Sequence, residues 1–366
     1  MTLAFAPPSR QARRVPEVES MAPKVVMSGT AVRNQQIAQI LEAAGCEIVV
    51  LPAADPGGPS EWSGEEIERY FLDADAFVGT FNGKPVSRKV LEAATKLRVG
   101  VSPIIGTETI DVEAATDLGI AIGYGAAPEN LLGVAEAVVM LAAALVKNLP
   151  GKWDAVRGGG WRVDDPGHMV MGRTIGLIGL GNIGRAVARR LQGWECNLIA
   201  ADPYVRPEAA AELGVRLVDL DTLMRESDVV SVMVTLTRET THLVGERQLA
   251  LMKPTAYLIN TSRGPCVDEA ALIRALDEGR LAGAAIDTWE QEPARADNPL
   301  RTHPRVIATA HNVGHSEEVY AALPGLAAEN VLRGLRGEDP VCFRNPEVLP
   351  RWRERLARLG VGSGVG

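Results

Sequence analysis

The sequence predicts an α/β protein of two units, and three observations carry that expectation. The chain has 366 residues, more than a single domain of ~150 residues accounts for. From Lys24 onward, short β-branched runs alternate with helical periods, the pattern of mostly parallel sheets covered by helices. Almost halfway along, "TIGLIGLGNIGRAVARRL" (Thr174–Leu191) reads as strand, glycine turn and helix.

The elements follow in order. Residues 1–22 are rich in proline, arginine and glutamine without a period and read as a disordered arm. "MTLAFAPPSRQARR" lacks the apolar core of a secretory leader. "KVVMSG" and "CEIVVLP" read as strands around a helix "VRNQQIAQILEAAG". "ADAFVGT", "LRVGVSP" and "GIAIGY" continue the strands, and "SRKVLEAAT" and "DVEAATDLG" the helices. Residues 24–125 thus make one α/β unit with no glycine fingerprint of its own. A helix from Pro128 to Val146 contains "LLGVAEAVVMLAAALV", too short for a membrane span and carrying Glu136, so it reads as a buried or interface helix. "GKWDAVRGGGWRVDDPGH" reads as a loop. Six strands follow: "TIGLIGL", "NLIAAD", "VVSVMV", "AYLINT", "AGAAID" and "VIATAH", which suits a doubly wound sheet. A helix "SEEVYAALPGLAAENVLRGL" and a tail "VCFRNPEVLPRWRERLARL" close the chain.

Apolar residues are 46% and the net charge is −8. An acidic chain lacks the basic footprint of a nucleic-acid or membrane-surface binder, although one arginine reverses the field inside a cleft. Cys46, Cys196, Cys266 and Cys342 are scattered without metal or redox spacing. They read as reduced thiols of a cytoplasmic protein, and no metal site is expected.

Gly179, Gly181 and Gly184 match G-x-G-x-x-G between a strand and an amphipathic helix. The first permits the turn, the second admits a pyrophosphate and the third lets helix pack on strand. Asp202 ends the next strand 18 residues after Gly184. A carboxylate there accepts from both ribose hydroxyls and repels a 2′-phosphate, so NAD is expected over NADP.

Three polar residues follow later strands: Arg263 in "LINTSRGPCVDEAAL", Glu292 in "AIDTWEQEP" and His311 in "VIATAHNVGH". Taken singly they are a surface ion pair, a loop acid and a strand-end histidine. Together they supply what hydride exchange at a 2-hydroxy or 2-oxo acid needs. Histidine is a base near neutral pH, a carboxylate stabilises the imidazolium, and arginine forks a carboxylate and carbonyl.

With "GLIGLGNIGRAVARRLQGW", "INTSRGPCVDEAALIRAL", "GAAIDTWEQEP" and "VIATAHNVGH" in that order, the chain resembles the D-isomer-specific 2-hydroxyacid dehydrogenases. The resemblance extends from about Lys24 and includes "IIGTETIDVEAATDLGI" and "NPEVLP". It implies two Rossmann-like domains, the nucleotide-binding one inserted into a flavodoxin-like substrate domain. The expected boundaries are 23–126 with 315–350 for the substrate domain, 127–314 for the NAD domain, and 351–366 for a C-terminal tail. The lobes would close over the cofactor, and the Leu131–Val146 helix would serve a homodimer. His311 would be the acid/base, Glu292 its partner and Arg263 the substrate anchor. Ile105 and Gly106 would offer N–H groups to the substrate, and Asp287 would meet the carboxamide. Leu180, Asn182, Ile183, Pro203, Tyr204, Thr235, Thr261, Ser262 and Gly314 complete the expected cofactor set.

The chain departs from the family pattern in places. Ala310 replaces the usual proline, "APENLLG" replaces "PGxN", and the substrate loop reads "PIIGTE" with Ile104 and Ile105. His315 is either a substrate contact or a helix-start residue, and Trp161, Trp289 and Phe81 either line a pocket or pack. The leading reading is an NAD-dependent D-2-hydroxyacid dehydrogenase run as a 2-oxoacid reductase. The alternatives are a biosynthetic enzyme of a phosphorylated acid, resembling phosphoglycerate dehydrogenase, for which no arginine or lysine cluster marks a phosphate pocket although Lys84 and Arg88 lie near the first-half strand ends, and an NAD-sensing binding protein without turnover.

Overall fold

The computed structural model describes residues 22–29, 32–53 and 58–361. The arm expected at 1–22 lies outside them except for Ala22. The chain divides into two units. One runs to Tyr124 and resumes at Ala327, and the other is the uninterrupted stretch Gly125–Leu326.

The first unit contains β1 (Lys24–Met27), α1 (Val32–Ala43), β2 (Glu47–Val50), α2 (Gly64–Tyr70), β3 (Ala76–Val78), α3 (Arg88–Ala93), β4 (Val99–Ser102), α4 (Val112–Asp117) and β5 (Ala121–Tyr124). The strands pair in parallel in the order β2-β1-β3-β4-β5, the flavodoxin-like order. β3 and β4 are buried along their whole length, as a parallel sheet covered on both faces requires. Phe71, Phe77 and Leu91 belong to one core cluster, Ile37, Leu41 and Val331 to the other. α2 is additional to the expected set. Its start is a capping box in which Ser63 Oγ accepts from Glu66 N and Glu66 accepts from Ser63 N.

The second unit contains α5 (Pro128–Val146), α6 (Leu149–Arg157), β6 (Thr174–Ile178), α7 (Asn182–Leu191), β7 (Asn197–Ala201), α8 (Pro207–Ala211), β8 (Val215–Leu217), α9 (Leu220–Glu226), β9 (Val229–Val232), α10 (Glu246–Leu251), β10 (Tyr257–Asn260), α11 (Glu269–Asp277), β11 (Gly283–Ile286) and β12 (Val306–Ala308). Its sheet has seven strands rather than six, in the order β12-β11-β10-β9-β6-β7-β8. The extra strand, β8, is a three-residue edge with exposed Arg216 in the middle, too short and too polar to stand out. The order reverses between β6 and β9, where ligands enter open α/β sheets.

Three further expectations are corrected. The glycine-rich stretch after Val146 is not all loop, because α6 occupies Leu149–Arg157 and the glycines at 158–160 only end it. α5 is long and apolar enough to cross a membrane by length and composition, whereas its apolar stretch reads as too short. Its Ala135, Val138, Leu141 and Leu145 are nevertheless buried in the unit's core together with α7 residues. The C-terminal segment is not a loose tail. After α12 (Glu317–Arg336), α13 (Leu349–Arg358) buries Trp352 and Leu356 in the first unit. Trp352 Nε1 donates to Arg98 O at 2.7 Å.

The same aspartate clasp opens both sheets. In the first unit Lys24 N donates to Asp75 Oδ2 at 2.9 Å, Asp75 N to Lys24 O at 2.8 Å and Arg98 N to Asp75 O at 2.8 Å. In the second, Thr174 N donates to Asp228 Oδ2 at 2.9 Å, Asp228 N to Thr174 O at 2.8 Å and Tyr257 N to Asp228 O at 3.0 Å.

Candidate active site

The glycine turn bridges β6 and α7. Gly179 has φ +98, and its N–H donates to Ala201 O at 3.0 Å. A Cβ on Gly184 would stand 2.5 Å from Gly179 O, so helix and turn touch there. A Cβ on Gly181 would meet nothing within 4 Å. The fold itself therefore does not demand glycine at 181, and the vacant volume suits a group that must approach the backbone. Gly181 is the N-cap of α7 and makes no side-chain cap, so the first N–H groups of Asn182 and Ile183 suit an anion. Asp202 closes the turn, with Oδ2 accepting from Leu180 N at 2.8 Å and Oδ1 from Tyr204 N at 2.9 Å. Leu180 is fully buried, and its carbonyl accepts from Arg185 Nε at 3.0 Å. Pro203 and Tyr204 are exposed beside it. These residues fit a dinucleotide.

The remaining candidates sit past β9, β10, β11 and β12. Thr235 is exposed, and its carbonyl accepts from Thr240 Oγ1. Thr261 carries a buried hydroxyl without a hydrogen-bond partner among the described residues, a second feature that a bound group would satisfy. Asn260 organises the next turn, accepting from Ser262 N and Ser262 Oγ and donating to Arg263 O. Arg263 is half-buried and its Nη1 donates to Ser262 O at 2.7 Å. The following Gly264 permits a close approach, since a Cβ there would lie 1.9 Å from the Trp289 carbonyl.

Glu292 and His311 come together. Glu292 Oε2 lies 2.7 Å from His311 Nδ1, and Glu292 Oε1 accepts from Trp289 N at 3.1 Å. Burial pushes the Glu292 carboxyl up, but the bonds from His311 and Trp289 and the nearby His311 and Arg263 charges outweigh it. The net effect holds Glu292 below the usual range. His311 has φ +53, and Asp287 stabilises that turn. Asp287 O accepts from His311 N at 2.7 Å, while Asp287 Oδ1 accepts from Thr309 Oγ1, Asn312 N and Val313 N. Asp287 is 4% exposed. Its anchoring of the histidine turn is not visible in the sequence, which presents it only as a strand-end acid. Gly314 follows, and its carbonyl would lie 2.3 Å from a Cβ on Gly133 of α5.

The residues left open resolve as follows. Trp289 packs, 6% exposed with Nε1 donating to Thr309 O. Phe81 packs edge-on against Phe77, and Trp161 is 80% exposed. His315 Nδ1 lies 2.9 Å from Tyr320 Oη, near the start of α12. In the first unit, Ile105 and Gly106 lie in the turn after β4, where Ser102 Oγ donates to Gly106 O at 2.5 Å. Among the described residues, no group of three His, Cys, Asp or Glu side chains is placed to hold a metal ion.

Comparison with known proteins agrees on one family. The description "D-isomer specific 2-hydroxyacid dehydrogenase, NAD binding domain" matches residues 139–313. The chain is 40% identical over 297 residues to a D-3-phosphoglycerate dehydrogenase of Methanocaldococcus jannaschii, covering 81% of this chain but only 56% of that protein. It is 41% identical over 284 residues to a glyoxylate reductase of Korarchaeum cryptofilum, covering 76% of this chain and 84% of that one. Among solved structures, a glyoxylate reductase from Paecilomyes thermophila superposes with a TM-score of 0.77 at 27% identity, covering 89% of this chain and 99% of that one.

Proposed function

Since the chain belongs to the D-isomer-specific 2-hydroxyacid dehydrogenase family, we propose that it is an NAD-dependent oxidoreductase interconverting a D-2-hydroxy acid and its 2-oxo acid. The observation that carries the reading is the His311–Glu292 pair, 2.7 Å apart with Glu292 held ionised. With Nδ1–H donated to the carboxylate, His311 presents Nε2 to the substrate oxygen. There it takes up the hydroxyl proton in oxidation and returns it to the carbonyl oxygen in reduction. Glu292 stabilises the imidazolium, and Arg263 holds the substrate carboxylate and polarises its carbonyl. A nicotinamide dinucleotide would supply the hydride chemistry; Gly181 and the start of α7 would hold its pyrophosphate, and Asp202 its ribose. We assign NAD over NADP because a carboxylate at 202 repels a 2′-phosphate.

A phosphorylated substrate is disfavoured. Of the two cations near the first-unit strand ends, Lys84 is bonded to Glu66 at 2.6 Å and lies over the Trp62 ring, and Arg88 is bonded to Asp117 at 2.8 Å. A purely sensing role leaves the His311–Glu292 pair without a task. We further propose a homodimer, supported by exposed Leu132, Met140, Leu149, Trp153, Val156 and Trp161. None of the four scattered cysteines forms a disulfide, which suits the cytoplasm.

The test is loss of NADH absorbance against glyoxylate, hydroxypyruvate, pyruvate, 2-ketoisocaproate, phenylpyruvate and phosphohydroxypyruvate, with NADPH alongside. Turnover of a non-phosphorylated acid with NADH is expected, and His311→Ala should lower kcat by roughly 10²- to 10⁴-fold. An inert wild type, or a His311→Ala as fast as wild type, overturns the reading.

A further inference from the structure

His311 is not the only histidine that holds the Trp289–Glu292 turn. Two residues before Glu292, the Glu290 carboxylate meets a second imidazole, with His242 Nε2 2.7 Å from Glu290 Oε1. Both histidines have left-handed backbone, φ +50 at His242 and +53 at His311, which is uncommon outside glycine. His242 follows β9 in "TLTRETTHLVG". That loop is internally braced, since Thr237 N donates to Thr240 Oγ1 at 2.7 Å and Thr241 Oγ1 to Thr237 O at 2.8 Å.

The backbone around His242 is joined to the loop that carries Arg263. His242 N donates to Pro265 O at 2.7 Å, Val244 N to Cys266 O at 3.1 Å and Asp268 N to Val244 O at 3.1 Å. Glu290 is also tied to Glu269, which starts α11. Glu290 N donates to Glu269 Oε1 at 2.6 Å, and Glu269 N donates to Glu290 Oε1 at 3.4 Å. Glu269 Oε2 in turn accepts from Asn298 Nδ2 at 2.7 Å. Three loops therefore converge on Glu290: the loop of His242, the loop of Arg263, and the turn of Glu292.

We propose that His242 is a positioning residue, gripping Glu290 so that Glu292, and through it His311, stands at the correct place relative to Arg263. The inference rests on the dehydrogenase reading above. His242 touches no reacting atom and acts only through Glu290. The two side chains are 50% and 35% exposed, and a polar contact that exposed adds little to stability. The contact therefore shows itself in turnover and not in melting temperature.

The experiment compares His242→Ala, His242→Gln, Glu290→Ala, Glu290→Gln and the double alanine variant, using the 2-oxo acid that the wild type reduces. Both single alanine variants should lose roughly 5- to 20-fold in kcat, the scale of a small misplacement of catalytic groups. Melting temperature and NADH affinity, read by fluorescence titration, should stay at wild-type values. His242→Gln, whose amide still donates to Glu290, should recover most of kcat, as should Glu290→Gln, which still accepts. The double variant should be no slower than Glu290→Ala, which already removes the His242 contact together with the one to Glu269 N. Unchanged kcat in His242→Ala, a loss confined to KM, glutamine variants as slow as alanine, or losses that multiply would each overturn the proposal. Should His242→Ala fail to fold, Glu290→Ala against Glu290→Gln decides it. A slow alanine variant beside a fast glutamine variant supports the grip, and equal rates sink it. A wild type inert toward every acid takes down both readings, whereas an active wild type with unchanged variants takes down this one alone.

Discussion

Arg263, Glu292 and His311 stand out in the sequence because each follows an apolar strand that is easy to read. The atoms that aim them do not stand out. Asp287 is an unremarked strand-end acid until its Oδ1 is seen taking three donors from the histidine turn. His242 and Glu290 lie 48 residues apart and meet only after three strands have stacked. The glycine turn separates fold from ligand at single residues. Gly181→Ala should fold and melt as wild type, since its Cβ meets no protein atom, while NADH binding weakens roughly tenfold or more, about 1.4 kcal/mol or above. Gly184→Ala forces its Cβ onto Gly179 O and should cost roughly 1–3 kcal/mol of stability as overpacking. Paired thermal melts and NADH titrations check both. Equal NADH affinity in Gly181→Ala and wild type would remove the pyrophosphate from that position.

Among the elements, legibility follows length and burial. The apolar strands of both sheets are evident from their runs. Short elements with polar middles are not: β8 carries Arg216 at its centre, and α6 runs into three glycines that dominate the composition around it. α2 announces itself by Ser63 and Glu66 at capping-box spacing, a local signal that the search for hydrophobic periods passes over. α13 hides because Arg351, Arg353, Arg355 and Arg358 surround the apolar stripe of Leu349, Trp352 and Leu356. The clasp at Asp228 makes an element-level prediction. Burial raises its carboxyl, but Thr174 N–H, the bond and charge of Lys253, and Arg173 outweigh that and leave it below the usual range. A depressed carboxylate contributes stability above its unfolded-state pKa and loses it as pH falls through the folded value. Asp228→Ala should therefore be destabilised by roughly 1–3 kcal/mol at neutral pH. That gap should narrow as pH drops below the ordinary carboxylate range. Thermal melts across that pH range measure it, and a gap independent of pH would assign the loss to packing alone.

For the whole molecule, the two units share a device that sequence comparison within the chain does not reveal. Asp75 and Asp228 each lock the first strand of their sheet to the next two with the same three bonds, though the surrounding residues differ. In both sheets the first strand also lies inside, with the second strand on one side and a later strand on the other. The proposed homodimer is testable at this scale. Met140→Glu with Trp153→Glu should shift sedimentation from dimer to monomer, and a monomeric wild type would dismiss the assembly. One contact gives that experiment a further meaning. Gly133 of α5 lies against the Gly314 carbonyl, three residues beyond His311, and the same helix exposes Met140. The backbone that seats the imidazole thus rests on the helix offered to a second copy. On the proposed dimer, dilution acts as an inhibitor: turnover per molecule should fall as the protein is thinned below the dimer's dissociation constant and return when it is concentrated.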